Sequence, residues 1–268
     1  MTDYEDFLRG VDVTRPNAAR MYDYYLGGSA NFEVDRKAAE EGKAALPDAT
    51  IYARANRAFL VRAVRYLCNA GIDQFLDLGS GIPTKGNVHE IAHQLNPAAR
   101  VAYVDIEPVA VSHARRMLEG KQNVTITQAD IRRPQDVLSA PGVAGLLDFD
   151  RPVAVLAVAI LPFVVDDEEA INLVAEYRNK CVSGSYLVLS HISQLAATAE
   201  QVTAAEEVMS RTTTPVRWRS ADRITPMLAG YRVVPPGLVP VTQWRPDTQV
   251  PPDLVSRSNA FGAVAVLP

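Results

Sequence analysis

The chain has 268 residues, 48% of them hydrophobic and 22% charged, which is enough to bury a large core as one α/β domain with additions. A formal net charge of −4 and a pI near 5.6 leave no electrostatic footprint for wrapping a phosphate backbone, so nucleic acid is not an expected partner. Two cysteines, Cys68 and Cys181, support neither a disulfide framework nor a cysteine-based zinc site; the acidic residues 1–6 are unlike a signal peptide, no apolar run approaches the roughly 18 residues that span a bilayer, and the expected location is the cytoplasm.

Helical spacing comes first. Residues 18–26 read as a helix ending at Gly27-Gly28, 34–46 as a second stopped by Pro47, and 51–70 as a third with Leu60, Val64 and Leu67 on one face. Residues 1–70 therefore read as a helical extension that forms a lid or covers one side of a sheet, ahead of the main domain at 71–268. From residue 72 onward strand and helix patterns alternate, the mark of βαβ units and a parallel sheet. Strands are expected at 74–78, 101–105, 124–128, 153–158 and 186–190, with helices at 88–95, 109–118 and 168–181; Pro97, Gly120 and Gly184 stand where those helices stop. Another helix is expected at 196–209. Tyr231-Arg-Val-Val-Pro-Pro and Ala260-Phe-Gly-Ala-Val-Ala-Val-Leu then suit a closing pair of strands, the last of them antiparallel, and the proline-rich 235–252 reads as a surface excursion.

The stretch Phe75-Leu-Asp-Leu-Gly-Ser-Gly-Ile-Pro-Thr84 runs an apolar strand into an Asp-x-Gly-x-Gly turn, and Val101-Ala-Tyr-Val-Asp-Ile-Glu-Pro108 ends a second strand in an acid. Glycines at 79 and 81 let the backbone bend sharply and approach a ligand, because no Cβ intrudes. A dinucleotide fold would add a third glycine and an immediate helix for its pyrophosphate; here Pro83, Thr84 and Lys85 follow. That departure costs nothing to S-adenosyl-L-methionine, which has a sulfonium, an amino-acid tail and a nucleoside but no pyrophosphate. Asp77 is expected near the ammonium of that tail, Asp105 at the ribose hydroxyls and Asp130 at the adenine amine, all at carboxyl ends of strands. Ser80, Ile106, Ile131 and Ala159, beside these positions, complete the expected cofactor contacts.

These residues resemble the class I S-adenosylmethionine-dependent methyltransferases, and more narrowly a methyltransferase-like branch common in actinobacteria, formerly a domain of unknown function. The narrower likeness rests on Arg15-Pro-Asn-Ala-Ala-Arg-Met-Tyr-Asp-Tyr-Tyr-Leu-Gly-Gly28, Asn31-Phe32, Asp35-Arg36, Asp77 to Thr84 with Asn87-Val-His89, Tyr103 to Pro108, Ala129 to Arg132, Pro235-Pro-Gly237 and Trp244-Arg-Pro246. It covers nearly the whole chain. The resemblance implies a Rossmann-like, seven-stranded, mostly parallel sheet with helices on both faces and the last strand antiparallel. It also implies that 157–161 lie beneath the cofactor and that the tyrosine-glycine segment folds over it. Tyr22, Tyr25 and Gly28 are the expected lid contacts, and Arg20 the expected partner of the cofactor carboxylate.

The acceptor is less legible. Methylation of a nucleic-acid base or amide nitrogen usually goes with Asn or Asp, Pro-Pro and an aromatic after the fourth strand, where this chain has Ala159-Ile-Leu-Pro-Phe163. A small-molecule acceptor, with a hydroxyl ahead of other groups, is the expectation, and His191 at the end of the fifth strand is the candidate general base. His89 and His93, four apart on a helix, lack a third ligand and are not read as a metal site. Asp166-Asp-Glu-Glu169 suits a helix start. Phe163, Trp218 and Trp244 are candidates to line the acceptor pocket. A binding module that senses the cofactor without turnover and, less favoured, an NAD-linked oxidoreductase stand as alternatives.

Overall fold

The structure is a computed structural model that describes residues 12–83 and 86–268; the acidic N-terminus and Thr84–Lys85 of the glycine motif lie outside the described residues. Five parallel strands form its centre: β1 (Gln74–Leu78), β2 (Arg100–Asp105), β3 (Val124–Gln128), β4 (Ala154–Val158) and β5 (Tyr186–Ile192). Three more close the sheet: β6 (Arg232–Val233), β7 (Val239–Pro240) and β8 (Ala260–Val266), with β8 antiparallel to β5 and both short strands antiparallel to β8. The order β3-β2-β1-β4-β5-β8-β6 reverses direction between β1 and β4. Open α/β sheets bind ligands beyond the strand ends at such a reversal.

The expected seven strands become eight because the sixth is broken. Val234 N–H still donates to Val264 O at 2.8 Å, but Pro235 and Pro236 have no N–H to continue the ladder, and pairing resumes only at Val239. A second difference concerns 235–252, which is not wholly a surface excursion. Val241 and Trp244 are fully buried, and Trp244 packs edge-to-face on Phe59 and Tyr66 at 5.6 and 5.7 Å, covering sheet face beside β8. Trp244 is core and takes no part in an acceptor pocket.

Both faces of β1 are buried, so its side chains alternate between two apolar layers, Phe75 toward one and Leu76 and Leu78 toward the other. The first layer is supplied mainly by α3 (Ala49–Asn69), whose Phe59, Leu60, Ala63, Val64 and Leu67 repeat at helical spacing and are buried. This third N-terminal helix is thus part of the core. The second layer receives Ala170, Leu173, Val174 and Tyr177 of α8 (Asp167–Lys180), whose N-cap Asp166 accepts from Glu169 N–H at 2.8 Å. Between these run α4 (Val88–Leu95), α5 (Pro108–Leu118) and two short helices, α6 (Pro134–Ser139) and α7 (Pro141–Ala144).

Over the strand ends lie α1 (Ala18–Tyr25), α2 (Glu33–Ala45) and α9 (Ala199–Ser210), sharing an apolar cluster of Met21, Ala38, Ala39 and Val208. The α9 helix starts three residues later than its spacing predicts. Asn259 Oδ1 takes the N–H groups of Leu195, Ala196 and Ala197 at 3.2, 3.0 and 3.1 Å, and Thr198 then caps the helix with a reciprocal bond to Gln201. Two further short helices, α10 (Ala221–Ile224) and α11 (Pro252–Arg257), complete the chain. Among the described residues no helix is long and apolar enough to cross a membrane.

Candidate active site

At the carboxyl end of β1 the N–H groups of Gly79 and Ser80 both donate to Val104 O, at 2.8 and 3.0 Å, which draws the turn against β2. Gly79 and Gly81 have φ of 71° and 66°, left-handed values that glycine adopts without steric cost. They differ in surroundings. A Cβ on Gly79 would collide with the Ile160 side chain, whereas at Gly81 the corresponding space is open. The Gly81 N–H donates to Asp105 Oδ2 at 2.7 Å and the Glu107 N–H to Asp105 Oδ1 at 2.8 Å, so the Asp105 carboxylate is locked in place with lone pairs left over. Burial raises the pKa of Asp105 and pushes Asp77 up to about 7; Arg57 pulls Asp77 down and Asp105 pushes it further up.

These groups open onto a cavity of about 660 Å³, within the usual range for a small-molecule site. Asp77, Gly79, Ser80, Gly81, Asp105, Ile106, Asp130, Ile131 and Ala159 all line it, as do Arg20, Tyr22 and Tyr25 from α1. Ile106 is 55% exposed, an apolar side chain offered to the cavity beside the Asp105 carboxylate. Ala159 has φ 57°, which is uncommon for a residue with a Cβ, and its N–H is held by Ser190 Oγ at 3.0 Å. Ser190 Oγ in turn donates to Asn56 Oδ1 at 2.5 Å, Asn56 Nδ2 donates to the Tyr22 hydroxyl at 3.0 Å, and that hydroxyl donates to Ala53 O at 3.0 Å. A continuous polar chain therefore joins β4 and β5 to the covering helix.

A family model described as S-adenosyl methyltransferase matches residues 5–268. The chain belongs to the S-adenosyl methyltransferase family. Two solved structures superpose over nearly their whole length. A candidate methyltransferase from Thermobifida fusca YX is 35% identical, with 96% of this chain and 97% of that one covered and a TM-score of 0.90. A DUF574 family protein from Streptomyces avermitilis MA-4680 is 33% identical, with 96% and 99% covered and a TM-score of 0.90. The N-methyltransferase NodS from Bradyrhizobium japonicum WM9, 14% identical over 81% of this chain and 97% of that one at a TM-score of 0.50, shares the fold. No curated protein sequence matches the chain.

The family is that of class I methyltransferases, and its cofactor is S-adenosyl-L-methionine. The residues at the glycine turn fit that group on two observations. Ser80 Oγ is buried with no hydrogen-bond partner among the described residues, and the open space at Gly81 lets a ligand approach the backbone.

Not every expected residue stands where the sequence put it. Arg20 is 1% exposed, and four of its five N–H groups are committed within the protein. Nε donates to Asp35 at 2.8 Å, Nη1 to Glu107 at 3.1 Å, and Nη2 to the carbonyls of Asp12 and Arg15 at 3.0 and 2.7 Å. It anchors α1 rather than waiting for a carboxylate. Gly28 does not line the cavity; its N–H closes the turn onto Asp23 O at 2.9 Å and the Asp23 side chain fills the place of a Cβ, so it stops the helix. Asp130 borders the cavity but spends both oxygens on Arg132, whose Nε and Nη2 donate at 3.0 and 2.7 Å and hold its pKa below the ordinary carboxylate range.

His191 is walled off. It is fully buried, Nδ1 bonds Ile192 O at 2.7 Å and Nε2 meets Arg219 Nη1 at 2.9 Å. A carbonyl only accepts and a guanidinium only donates, so Nδ1 carries the proton and Nε2 is already used. Burial pushes its pKa down to about 4, and neither nitrogen is available to an acceptor. Of the aromatic candidates, Phe163 and Trp218 do line the cavity. His89 and His93 serve the fold, through Tyr103 OH at 2.8 Å and Ala99 O at 2.9 Å.

Among the residues that escaped the sequence reading are Tyr52, Asn56 and Arg57, which α3 presents to the cavity over an arc of about 140°. The polar Asn56 and Arg57 within an otherwise apolar helical stripe were the available signal. Arg57 Nη2 donates to Asn87 Oδ1 at 3.1 Å, and its charge acts on Asp77.

Proposed function

We propose that the Asp77–Asp105 end of the cavity holds the methyl donor and that the remainder admits a small-molecule acceptor beneath α1, α2 and α9. One observation carries this reading: the glycine turn, the two buried carboxylates and the exposed Ile106 open into the same cavity as the tyrosines of α1 and α3. When bound, S-adenosylmethionine would supply a sulfonium methyl for transfer to the acceptor atom, with S-adenosylhomocysteine left behind and any proton of the acceptor passing to solvent.

The chain's own residues bind, orient and exclude water. Asp105, fixed by two backbone N–H groups, presents its free lone pairs to the ribose hydroxyls. Asp77, with Arg57 nearby, receives the amino-acid tail, its carboxylate meeting the ammonium and Arg57 the carboxylate. Ile106 and Ile131 flank the adenine, and α1 and α2 serve as cover, Tyr22 and Tyr25 closing the space. Because His191 is walled off, catalysis rests on positioning, which by itself supplies large rate factors. That removes the reason to favour a weakly acidic hydroxyl as acceptor.

Isothermal titration with S-adenosylmethionine, S-adenosylhomocysteine and NAD tests the donor site. Micromolar binding of the first two, weakened at least tenfold by Asp105→Ala, is expected. Binding of NAD alone, or Asp105→Ala binding as tightly as the parent, overturns it. Transfer of labelled methyl from S-adenosylmethionine to a component of a metabolite extract tests the acceptor reading.

A further inference from the structure

The two ends of the cavity differ in chemistry. At one stand the carboxylates beyond β1 and β2. At the other, Leu46, Tyr52, Ile192, Ala205, Val216 and Trp218, drawn from the end of α2, from α3, β5 and α9, and from the segment before α10, form a hydrophobic cluster of their own that lines the cavity.

Charged side chains that reach the cavity stand elsewhere or are spent. Asp77 and Asp105 belong to the donor end, Glu107 is paired with Arg20, and Asp130 with Arg132. Glu169 opens α8, and Asp12 is bonded to Thr14 at 2.6 Å. Arg57 shares α3 with Tyr52 but lies five residues on, about 140° around the helix and about 7.5 Å along it. Its Nη2 meets Asn87 at the start of α4. A charged acceptor seated in the apolar lobe would lose its hydration without an opposite charge to replace it.

Among the side chains of this cluster, two polar atoms lack a partner among the described residues: the Tyr52 hydroxyl and Trp218 Nε1. The Tyr25 hydroxyl donates to Ala39 O at 3.2 Å; Trp218 Nε1 has no hydrogen-bond partner but is fully buried, whereas the Tyr52 hydroxyl is not. The Tyr52 hydroxyl makes no hydrogen bond among the described residues, and Tyr52 lines the cavity. Burial raises the pKa of this phenol, so it stays a neutral donor at any working pH.

We infer that the acceptor is an uncharged, largely apolar small molecule, and that the Tyr52 hydroxyl positions it through a polar atom. The inference rests on the donor assignment proposed above. Tyr52 is a positioning residue on this reading and takes no proton in the transfer.

The test uses the full chain saturated with S-adenosylhomocysteine and four probes: 2-naphthol, 2-methylnaphthalene, 2-naphthoate and 2-naphthylmethylamine. Ligand-observed NMR titration gives their Kd values. We expect 2-naphthol to bind at least tenfold tighter than either charged analogue. Tyr52→Phe should weaken 2-naphthol about tenfold while leaving 2-methylnaphthalene within twofold, a split that a merely structural role of Tyr52 does not produce. Failure of 2-naphthol to bind, charged probes binding as tightly, or Tyr52→Phe weakening both neutral probes alike overturns the inference. These outcomes in a protein that binds S-adenosylhomocysteine leave the donor site standing; failure to bind S-adenosylhomocysteine overturns both.

Discussion

Ser190 Oγ donates to Asn56 Oδ1 at 2.5 Å, and through this pair the left-handed Ala159 after β4 is connected to Tyr22 on the covering helix. Both partners are buried, so removing one leaves the other unsatisfied, at a cost of about 1–3 kcal/mol. Ser190→Ala and Asn56→Ala are each expected to lower stability by that amount. The double variant should lose about 1–2 kcal/mol less than their sum, because the broken bond is counted twice. Urea denaturation of the four proteins gives the coupling; strict additivity would mean that the two side chains act independently.

Asp77 should make the protein less stable as pH rises. Its native pKa is pushed to about 7, chiefly by burial, whereas an unfolded aspartate titrates near 4. Between about pH 4 and 7 the native state therefore holds a proton that the unfolded state has lost, so stability falls as pH rises through that window, and the cost is complete above it. A shift of about three units corresponds to a cost on the order of 4 kcal/mol. Asp77→Asn is expected to melt higher than the parent at pH 8, with the difference vanishing near pH 4. The same variant should bind S-adenosylhomocysteine at least tenfold more weakly. Differential scanning fluorimetry across pH checks the first outcome and calorimetric titration the second; equal melting at pH 8 would show that Asp77 is not destabilised in the native state.

The fold was legible because local sequence specifies it, and so was the glycine turn of the proposed donor end. Alternating apolar runs fix the parallel strands, and the glycines at 79 and 81 sit at positive φ where the motif needs them. The β-edge was harder to read, since Pro235-Pro236 interrupts one strand that the apolar pattern shows as continuous. Residues whose role depends on distant partners were misread or missed. Nothing in the sequence near Arg20 says that Asp35 and Glu107 will claim it, and nothing near His191 says that Arg219, 28 residues on, will cap its ring. Tyr52 sits on an apolar helix face like any core aromatic, and only the assembled cavity separates it from Phe59. The lobe proposed to take the acceptor is lined from α2, α3, β5 and α9, elements far apart in sequence, so local spacing carries little of it.

Gly79 and Gly81 should respond differently to the same methyl group. Alanine costs roughly 1–2 kcal/mol at either position for the left-handed backbone alone. At Gly79 the Cβ also strikes Ile160, so Gly79→Ala should be destabilised by several kcal/mol, while Gly81→Ala keeps to the smaller figure because its Cβ enters open space. That space belongs to the cofactor on the reading above. Gly81→Ala is therefore expected to fold, melt a few degrees below the parent and bind S-adenosylhomocysteine at least tenfold more weakly. Thermal melts paired with calorimetry separate the two variants; normal affinity in Gly81→Ala would place the ligand away from this turn.

Arg20 offers the clearest separation of a structural from a ligand-binding role. Its guanidinium is buried between Asp35, which is fully buried, and Glu107, whose carboxyl burial already pushes toward the neutral form. Deleting the cation strands both acids, and breaking a buried pair in this way costs about 3–5 kcal/mol. Arg20→Lys keeps the charge but cannot reproduce a planar fork that meets two carboxylates and two carbonyls together, so it should recover only part of that loss. If Arg20 anchors α1, Arg20→Lys loses stability by urea denaturation, yet its folded fraction binds S-adenosylhomocysteine within about twofold of the parent at a temperature well below the melt. If Arg20 instead holds the cofactor carboxylate, affinity falls by tenfold or more, out of proportion to any change in the melt. Arg57→Lys serves as the opposite case: on the donor reading proposed above Arg57 meets the tail of the cofactor, so affinity should fall several-fold while the melting temperature moves little.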